Sequence, residues 1–224
     1  MKTWAENLYE FYTTLQPAQK LPNDVQWLYP QQKEEVLVVV KRFLDKYFSD
    51  SNERRLILGI NPGRFGAGIT GVNFTAAKQL TEDCTIQHRF KEGSELSAEF
   101  IYAVIKAYGG PQAFYQDYFI GSVCPLGFVK AGKNINYYDD KDLQKAVEPF
   151  IIDNLEKQLR FPVKRDRCLC LGGEKNYKYL LGLNARFGWF GEILPLPHPR
   201  FIMQYRRKEI APFIQLYLDA LNNN

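Results

Sequence analysis

The sequence has few of the residues that bind metals or form disulfides. Only four cysteines and two histidines occur among its 224 residues, and Cys84, Cys124, Cys168 and Cys170 include no C-x-x-C pair. Zinc sites and iron–sulfur clusters draw on closely spaced cysteine and histidine ligands. We therefore expect no metal and no redox cofactor. Scattered reduced thiols are typical of a cytoplasmic protein.

Long apolar runs and a strong excess of one charge are also missing. No apolar segment approaches the ~20 residues of a membrane-spanning helix, and the first fifteen residues lack the basic-then-apolar order of a signal peptide. The net charge of +4 permits binding to nucleic acid without requiring it. We expect one cytoplasmic domain over residues 1–224, monomeric and without a membrane partner.

Four short apolar segments predict buried β-strands. Continuous apolar runs of this length are typical of strands covered on both faces of a parallel sheet. The segments are 56–60, 118–124, 167–171 and 192–196. Residues 16–30 contain three prolines and predict a loop.

Helical patterns lie before, between and after these strands. They cover residues 4–15, 31–48, 97–108, 139–159, about 173–181 and about 207–221. Pro149 predicts a kink or break in the fourth of these helices. Alternating strands and helices predict a three-layer α/β/α fold with a central four-stranded parallel sheet. Its ligand site should lie beyond the carboxyl ends of the strands, near the residues that end or follow them: Asn61, Cys124-Pro125, Gly172-Gly173 and His198.

The glycine-rich segment that follows the first of these strands, residues 59–71, has several interpretations. A phosphate loop is excluded because Ile69 occupies the position of the phosphate-binding lysine. A dinucleotide fingerprint, G-x-G-x-x-G over residues 66–71, is weak evidence because the following residues are poor helix formers. A purely structural turn of Asn, Pro and Gly stays open, although it does not account for so many small residues at the active end of a strand.

The same segment resembles a motif of a known family. Residues 59–66 read G-I-N-P-G-R-F-G and residues 70–74 read T-G-V-N-F. They resemble the first motif of the single-strand-selective monofunctional uracil-DNA glycosylases, G-x-N-P-G-P-F-G followed after three residues by T-G-V-P-F. Residues 118–126 resemble the family's F-V-x-N-x-C-P-L strand, and residues 196–200 resemble part of its H-P-S-P-R motif. The three blocks occur in the family's order.

The resemblance implies a role for several residues. Asn61 would place the attacking water, and because an amide cannot take up a proton as a carboxylate does, it should orient this water only. His198 would donate a hydrogen bond to the uracil O2 as negative charge develops there. Phe74 would stack on the flipped base. The expected base-binding residues are Ile60, Gly63, Phe65, Phe74 and Ser122.

Ser122 departs from the family pattern, which has a base-reading asparagine at this position. A serine hydroxyl is shorter and offers one donor, and one neutral hydrogen bond contributes roughly 0.5–1.5 kcal/mol. We expect looser discrimination, with uracil still excised and room for xanthine. In this the chain resembles a bacterial branch of the family with serine here.

The segment after His198 also departs from the family, whose loop enters the duplex where the base has left. The expected DNA-binding residues are Arg200, Phe201, Gln204, Tyr205, Arg206 and Arg207, with Lys130 and Lys133 after the second predicted strand. Aromatic and amide side chains could fill the gap in the duplex, and the basic ones could contact phosphates.

The expected function is therefore removal of uracil from DNA, single- or double-stranded, as the first step of base excision repair. Three alternatives remain. The main substrate could be a deaminated purine, as Ser122 suggests. The chain could be a catalytically silent nucleic-acid-binding module, which the presence of both Asn61 and His198 disfavours. It could also be a small-molecule nucleoside hydrolase, which would lack salt-sensitive DNA binding.

Overall fold

The computed structural model describes residues 2–17, 20–22, 24–91, 93 and 95–222. Its helices are α1 (Trp4–Thr13), α2 (Glu34–Tyr47), α3 (Ala67–Thr70), α4 (Ala77–Glu82), α5 (Leu96–Tyr108), α6 (Pro111–Asp117), α7 (Lys141–Gln158), α8 (Gly173–Phe187), α9 (Pro199–Tyr205) and α10 (Ile210–Asn222). Its strands are β1 (Val25–Leu28), β2 (Arg55–Gly59), β3 (Tyr118–Ser122), β4 (Gly127–Lys130), β5 (Lys133–Ile135), β6 (Arg167–Leu171) and β7 (Glu192–Leu196).

The central sheet confirms the predicted fold class. Within the described residues it contains four parallel strands in the order β3-β2-β6-β7, flanked by helices. The middle strands are apolar because both faces of the sheet are covered: Leu56 and Leu58 of β2 are fully buried, and β6 is buried from Cys168 to Leu171. β2 lies between β3 and β6, so the residues that follow it occupy the middle of the sheet's carboxyl edge.

A second sheet, of three antiparallel strands in the described chain, was not predicted. Its order is β1-β4-β5. β1 falls inside the proline-containing segment 16–30, so the prediction of a plain loop there is wrong; residues 18, 19 and 23 of that segment lie outside the described residues. Trp27 of β1 packs against Phe128 of β4 and Phe150 of α7. The small sheet is thereby attached to the main body beside the carboxyl edge.

The hairpin between β4 and β5 is a two-residue turn. Lys130 pairs with Lys133 across it, and Ala131 and Gly132 both have positive φ, 48° and 71°. Positive φ at both central positions defines the type I′ turn, whose twist matches that of an antiparallel pair. The turn therefore directs β5 back toward the end of β2.

The structure corrects three of the helix predictions. α7 is a single helix across Pro149, so the predicted break is wrong; this proline lies on the exposed face, where water can satisfy the carbonyl that its ring leaves free. α8 runs on to Phe187 and is capped by Gly188, whose φ of 64° suits a helix C-cap. At the C-terminus a 3-10 turn, Arg207–Glu209, precedes α10.

The segment after His198 forms the short helix α9, where the resemblance implied a loop. Pro199 occupies the first helical position, and the His198 side chain caps the helix by accepting a hydrogen bond from the Arg200 N–H. Phe201 and Tyr205, four residues apart, therefore lie on one face of this helix, with ring centroids 5.6 Å apart. In the part of the chain that the structure describes, no helix combines the length and apolar character needed to cross a membrane.

Candidate active site

A cavity of about 430 Å³ opens at the carboxyl edge of the central sheet. Residues from three separate sequence blocks meet there, as the sheet topology requires. The predicted site residues that line it are Ile60, Asn61, Gly63, Phe65, Phe74, Ser122, Lys133, His198 and Arg200. The volume falls within the usual range for a small-molecule pocket, so a single flipped base has room to enter.

Main-chain groups hold the Asn61 side chain in one orientation. Its Nδ2 lies 3.3 Å from the carbonyl oxygens of both Pro62 and Ile135, and its Oδ1 accepts a hydrogen bond of 3.1 Å from the Tyr137 N–H. An amide oxygen has two lone pairs, so Oδ1 keeps one acceptor position after binding Tyr137. Asn61 can therefore orient a water molecule by accepting its hydrogen.

The residue that holds Asn61 is itself anchored in the core. The Tyr137 side chain is fully buried and its hydroxyl donates to Asn176 Oδ1 at 2.7 Å. Asn176 in turn donates to the Leu171 carbonyl at the end of β6. A continuous set of hydrogen bonds thus joins the end of β2, through the segment after β5, to the end of β6.

His198 is fixed as a neutral donor. Its Nδ1 accepts from the Arg200 N–H at 3.1 Å, which a protonated Nδ1 could not do, so the proton of the neutral ring is on Nε2. Burial, and secondarily the positive charge of Arg200, lower the pKa of His198 from its ordinary 6.5 to about 4. At neutral pH the ring presents an N–H donor and carries no charge.

Phe74 has a strained backbone beside this histidine. Its φ is 51°, a left-handed conformation that is rare for an aromatic residue and costs of order 1–3 kcal/mol. Its ring centroid lies 6.1 Å from that of His198, and the ring presses on Gly59, where an added Cβ would come within 2.8 Å of it. Strain of this kind is typical of functional sites, and here it directs the aromatic ring into the cavity.

Ser122, at the end of β3, is hydrogen-bonded to a second polar side chain of the cavity, Asn73. Its hydroxyl donates to Asn73 Oδ1 at 3.3 Å, and Asn73 Nδ2 donates to the Ile120 carbonyl at 3.2 Å. Both side chains line the cavity. The sequence did not identify Asn73, because it precedes Ser122 by 49 residues and nothing in the chain pattern links the two.

The glycine-rich segment packs against the hairpin of the small sheet. The Arg64 N–H donates to Asn134 Oδ1 at 2.9 Å and the Arg64 side chain donates to the Gly132 carbonyl. Phe65, half exposed, lies under the Arg64 guanidinium at 4.8 Å. The dinucleotide interpretation finds no support, because the helix inside the fingerprint, α3, has only four residues.

Two glycines in this region are required by close backbone contacts. A Cβ on Gly68 would lie 2.4 Å from the Gly63 carbonyl oxygen, and one on Gly127 would lie 2.1 Å from that of Pro62. Neither backbone oxygen can move without displacing the turn that carries Asn61. Gly127 belongs to β4, so its part in the site could not be inferred while that strand was unrecognised.

A second concavity, a groove of about 560 Å³, adjoins the first on the far side of His198. Phe201, Gln204 and Tyr205 line it together with Arg200 and Tyr138. Phe201 is 47% exposed and Tyr205 is 67% exposed, which is high for aromatic side chains. These two rings can therefore reach a partner outside the protein.

The remaining predicted DNA-binding residues line neither the cavity nor the groove, among the described residues. Lys130 lies 3.8 Å from Asp140, Arg206 lies 3.5 Å from Glu209, and Arg207 lies 3.6 Å from Glu99. Exposed ion pairs of this length contribute little stability, so a phosphate could replace the carboxylate in each. No group of three or more potential metal ligands occurs among the described residues.

Two of three comparisons with known proteins found a match. Residues 46–222 match the family described as the uracil DNA glycosylase superfamily. No curated protein matches the chain. Among solved structures, the chain is similar to the crystal structure of wild-type SMUG2 from Pedobacter heparinus, with 43% identical residues, a TM-score of 0.96 and coverage of 100% of both chains.

Proposed function

The chain belongs to the uracil-DNA glycosylase superfamily and is thus a DNA glycosylase, a hydrolase of N-glycosidic bonds in base excision repair; from this premise we propose that it excises uracil from DNA and accepts xanthine as a second substrate. The observation that carries the proposal is the pairing, in one cavity, of an asparagine and a neutral histidine that are both fixed by main-chain groups.

Asn61 acts on the attacking water. Cleavage of the bond to the base gives an oxocarbenium-like sugar, and a water held against C1′ captures it. The free acceptor position of Asn61 Oδ1 holds this water, while its other contacts to Tyr137 and Ile135 prevent the amide from turning. Because an amide cannot act as a strong base, the contribution is one of orientation.

His198 acts on the leaving base. Negative charge develops on the base as the bond breaks, and a fixed N–H donor stabilises this charge with little reorganisation. The Nε2–H of His198 is such a donor, because Nδ1 is occupied by the Arg200 N–H. Phe74 stacks on the base, an interaction worth roughly 1–3 kcal/mol per base.

The exposed face of α9 supports entry into the DNA. Phe201, Gln204 and Tyr205 project beside the cavity, where they can occupy the space that the flipped nucleotide leaves. Arg200 and Lys133 at the cavity, with Lys130, Arg206 and Arg207 farther out, contact phosphates. We propose that the protein acts as a monomer in the cytoplasm, on either single- or double-stranded DNA.

A deaminated purine as the main substrate is the second candidate function. Ser122 favours it, because its hydroxyl offers a single donor in place of the asparagine amide of the family pattern, which both donates to and accepts from the uracil edge. The ratio of the xanthine and uracil rates decides between the two candidates.

The deciding experiment measures base release from matched oligonucleotides that carry uracil, xanthine, hypoxanthine or thymine. Asn61→Ala and His198→Ala are assayed beside the unaltered protein, and their thermal unfolding is recorded. We expect uracil release that falls by roughly 100-fold or more in each variant while the fold is retained. Strand breakage only after alkaline treatment of the product supports a monofunctional enzyme.

Two results would contradict the proposal. DNA binding with no release of any base would make the protein a silent binding module. Release from free nucleosides, with no salt-dependent binding to DNA, would make it a nucleoside hydrolase.

A further inference from the structure

Asn73 and Ser122 form a pair at the point where the cavity meets β3. They come from separate segments, and each differs from the family pattern, which has proline and asparagine at these positions. The two departures are in direct contact, with Ser122 Oγ 3.3 Å from Asn73 Oδ1. An amide missing from position 122 is thus present beside it, at position 73.

The orientation of the Asn73 amide is determined by its neighbours. The Ile120 carbonyl can only accept a hydrogen bond, so the atom 3.2 Å from it must be Nδ2. Oδ1 then lies against Ser122, which lines the cavity together with Asn73, and it cannot exchange places with Nδ2 without bringing two oxygens together. The site therefore contains an acceptor of fixed direction, and next to it a hydroxyl that can rotate.

This combination matches one arrangement of base edge. Uracil, hypoxanthine and xanthine each carry a ring N–H next to a carbonyl. Asn73 Oδ1 can accept from the ring N–H while the Ser122 hydroxyl turns to donate to the carbonyl. Cytosine and adenine have a bare ring nitrogen at the same place, which would oppose the Asn73 oxygen and leave both acceptors unpaired in a partly buried site.

We propose that Asn73 and Ser122 together read the base edge, and that Asn73 selects bases whose ring nitrogen carries hydrogen. The inference rests on the proposed glycosylase function and names the substrate class of that site. It explains how a chain with serine at position 122 can still distinguish deaminated bases from cytosine and adenine.

The test compares uracil with 3-methyluracil in the same oligonucleotide. Methylation removes the hydrogen that Asn73 would accept, so the unaltered protein should release 3-methyluracil much more slowly than uracil. In Asn73→Ala we expect uracil release to fall roughly tenfold and the uracil to 3-methyluracil ratio to shrink. A purely structural role for Asn73 would lower both rates equally and leave the ratio unchanged.

A rescue variant moves the amide to the other position. Asn73→Ala opens the space that a longer side chain at position 122 needs, so Asn73→Ala/Ser122→Asn should recover uracil release to within about threefold of the unaltered protein. Asn73→Asp, which keeps the size of the side chain, serves if Asn73→Ala unfolds. It should also lower uracil release, because its carboxylate would face the Ile120 carbonyl.

Asn184→Ala is the matched control. Asn184 is another partly buried asparagine, it bonds the main chain of Phe190, and it lies at the end of α8. It should alter thermal stability without changing the base ratio. Two results would overturn the proposed base-reading role of Asn73 and Ser122 while leaving the glycosylase function intact. One is uracil release by Asn73→Ala at the rate of the unaltered protein, and the other is a double variant no faster than Asn73→Ala. Failure of the unaltered protein to release any base would overturn both.

Discussion

The inner wall of the cavity, defined as Asn61, Asn73, Ser122 and His198, contrasts with the outer face formed by the exposed side chains of α9. Every inner-wall side chain is tied to the protein by a hydrogen bond, and three of the four are bonded to main-chain atoms. On the outer face, the rings of Phe201 and Tyr205 lie beside each other and are largely open to solvent.

The difference separates two tasks. Groups that must act on a bond at a fixed distance are held by backbone, which moves little, so no reorganisation is needed during the reaction. Groups that meet DNA must adapt to a partner of variable sequence, and free side chains can do so. Changes to the inner wall should therefore alter the rate of base release, and changes to the outer face should alter affinity for DNA.

The largest effect is expected from a substitution that displaces the inner wall through its backbone support, at Gly127 of β4. In Gly127→Ala the new Cβ would lie 2.1 Å from the Pro62 oxygen, so the turn carrying Asn61 must shift. We expect a fall of roughly 100-fold in base release and a loss of about 1–3 kcal/mol in the free energy of unfolding, measured by single-turnover kinetics and urea denaturation. Gly182→Ala, on α8 with open space around it, is the control and should be neutral or slightly stabilising. A fully active Gly127→Ala protein would contradict the rigid inner wall.

Acidification tests the neutral state of His198. The pKa of about 4 lies below the ordinary value of 6.5, so the ring stays neutral and active down to about pH 4. Base release should then fall roughly tenfold per pH unit. The unfolded chain takes up this proton from about pH 6.5 downward, so the stability that the neutral ring contributes is complete above 6.5 and decreases as pH falls toward 4. Arg200→Gln removes the positive charge that, second to burial, lowers the His198 pKa, so the loss of activity on acidification should begin at a higher pH. If the activity of the unaltered protein already falls near pH 6.5, His198 is not held neutral.

Gly59→Ala tests whether the position of the Phe74 ring matters to the reaction. The added Cβ would come within 2.8 Å of the ring and force it to turn. We expect roughly tenfold slower release, in line with the loss of one stacking contact. The effect should largely disappear when Phe74→Leu is already present. Equal effects of Gly59→Ala in both backgrounds would mean that it acts through β2 instead.

The smallest effect is expected from removing the charge of Lys133, which lines the cavity. Lys133→Gln should leave the rate of base release at saturating DNA unchanged and weaken binding. It should reduce the slope of log affinity against log salt by about one, because one fewer counterion is released. Lys164→Gln serves as the control, since its backbone pairs with Arg54 before β2, at the opposite edge of the sheet. A lower maximal rate in Lys133→Gln would place this lysine in the chemistry.

The sequence was sufficient to predict the central sheet. After their first residues, Arg55 and Arg167, β2 and β6 consist of buried apolar residues and glycine, because both faces of the sheet are covered. Asn61 and His198 directly follow predicted strands and could be assigned to one edge for this reason. Ser122 was identified only through the resemblance, and all three residues line one cavity. The parallel topology was sufficient to assign Asn61 and His198 to this edge, without any information on side-chain contacts.

The small sheet escaped prediction for two physical reasons. β1 pairs with β4 across about a hundred residues, and local patterns carry no information on such a partner. The β4–β5 turn uses Ala131 at a position with φ of 48°, where asparagine or aspartate before glycine is the usual signal of a hairpin. With the hairpin unrecognised, the contacts of Asn61 and the part played by Gly127 could not be foreseen.

The way in which Asn61 is held has a consequence for how the sequence can change over time. Its partners are the Ile135 carbonyl and the Tyr137 N–H, which nearly every amino acid would supply. Substitutions at position 135 can therefore accumulate without disturbing this contact, so motif comparison would leave the segment unmarked. Proline at position 137 is the exception, because it alone has no N–H to give.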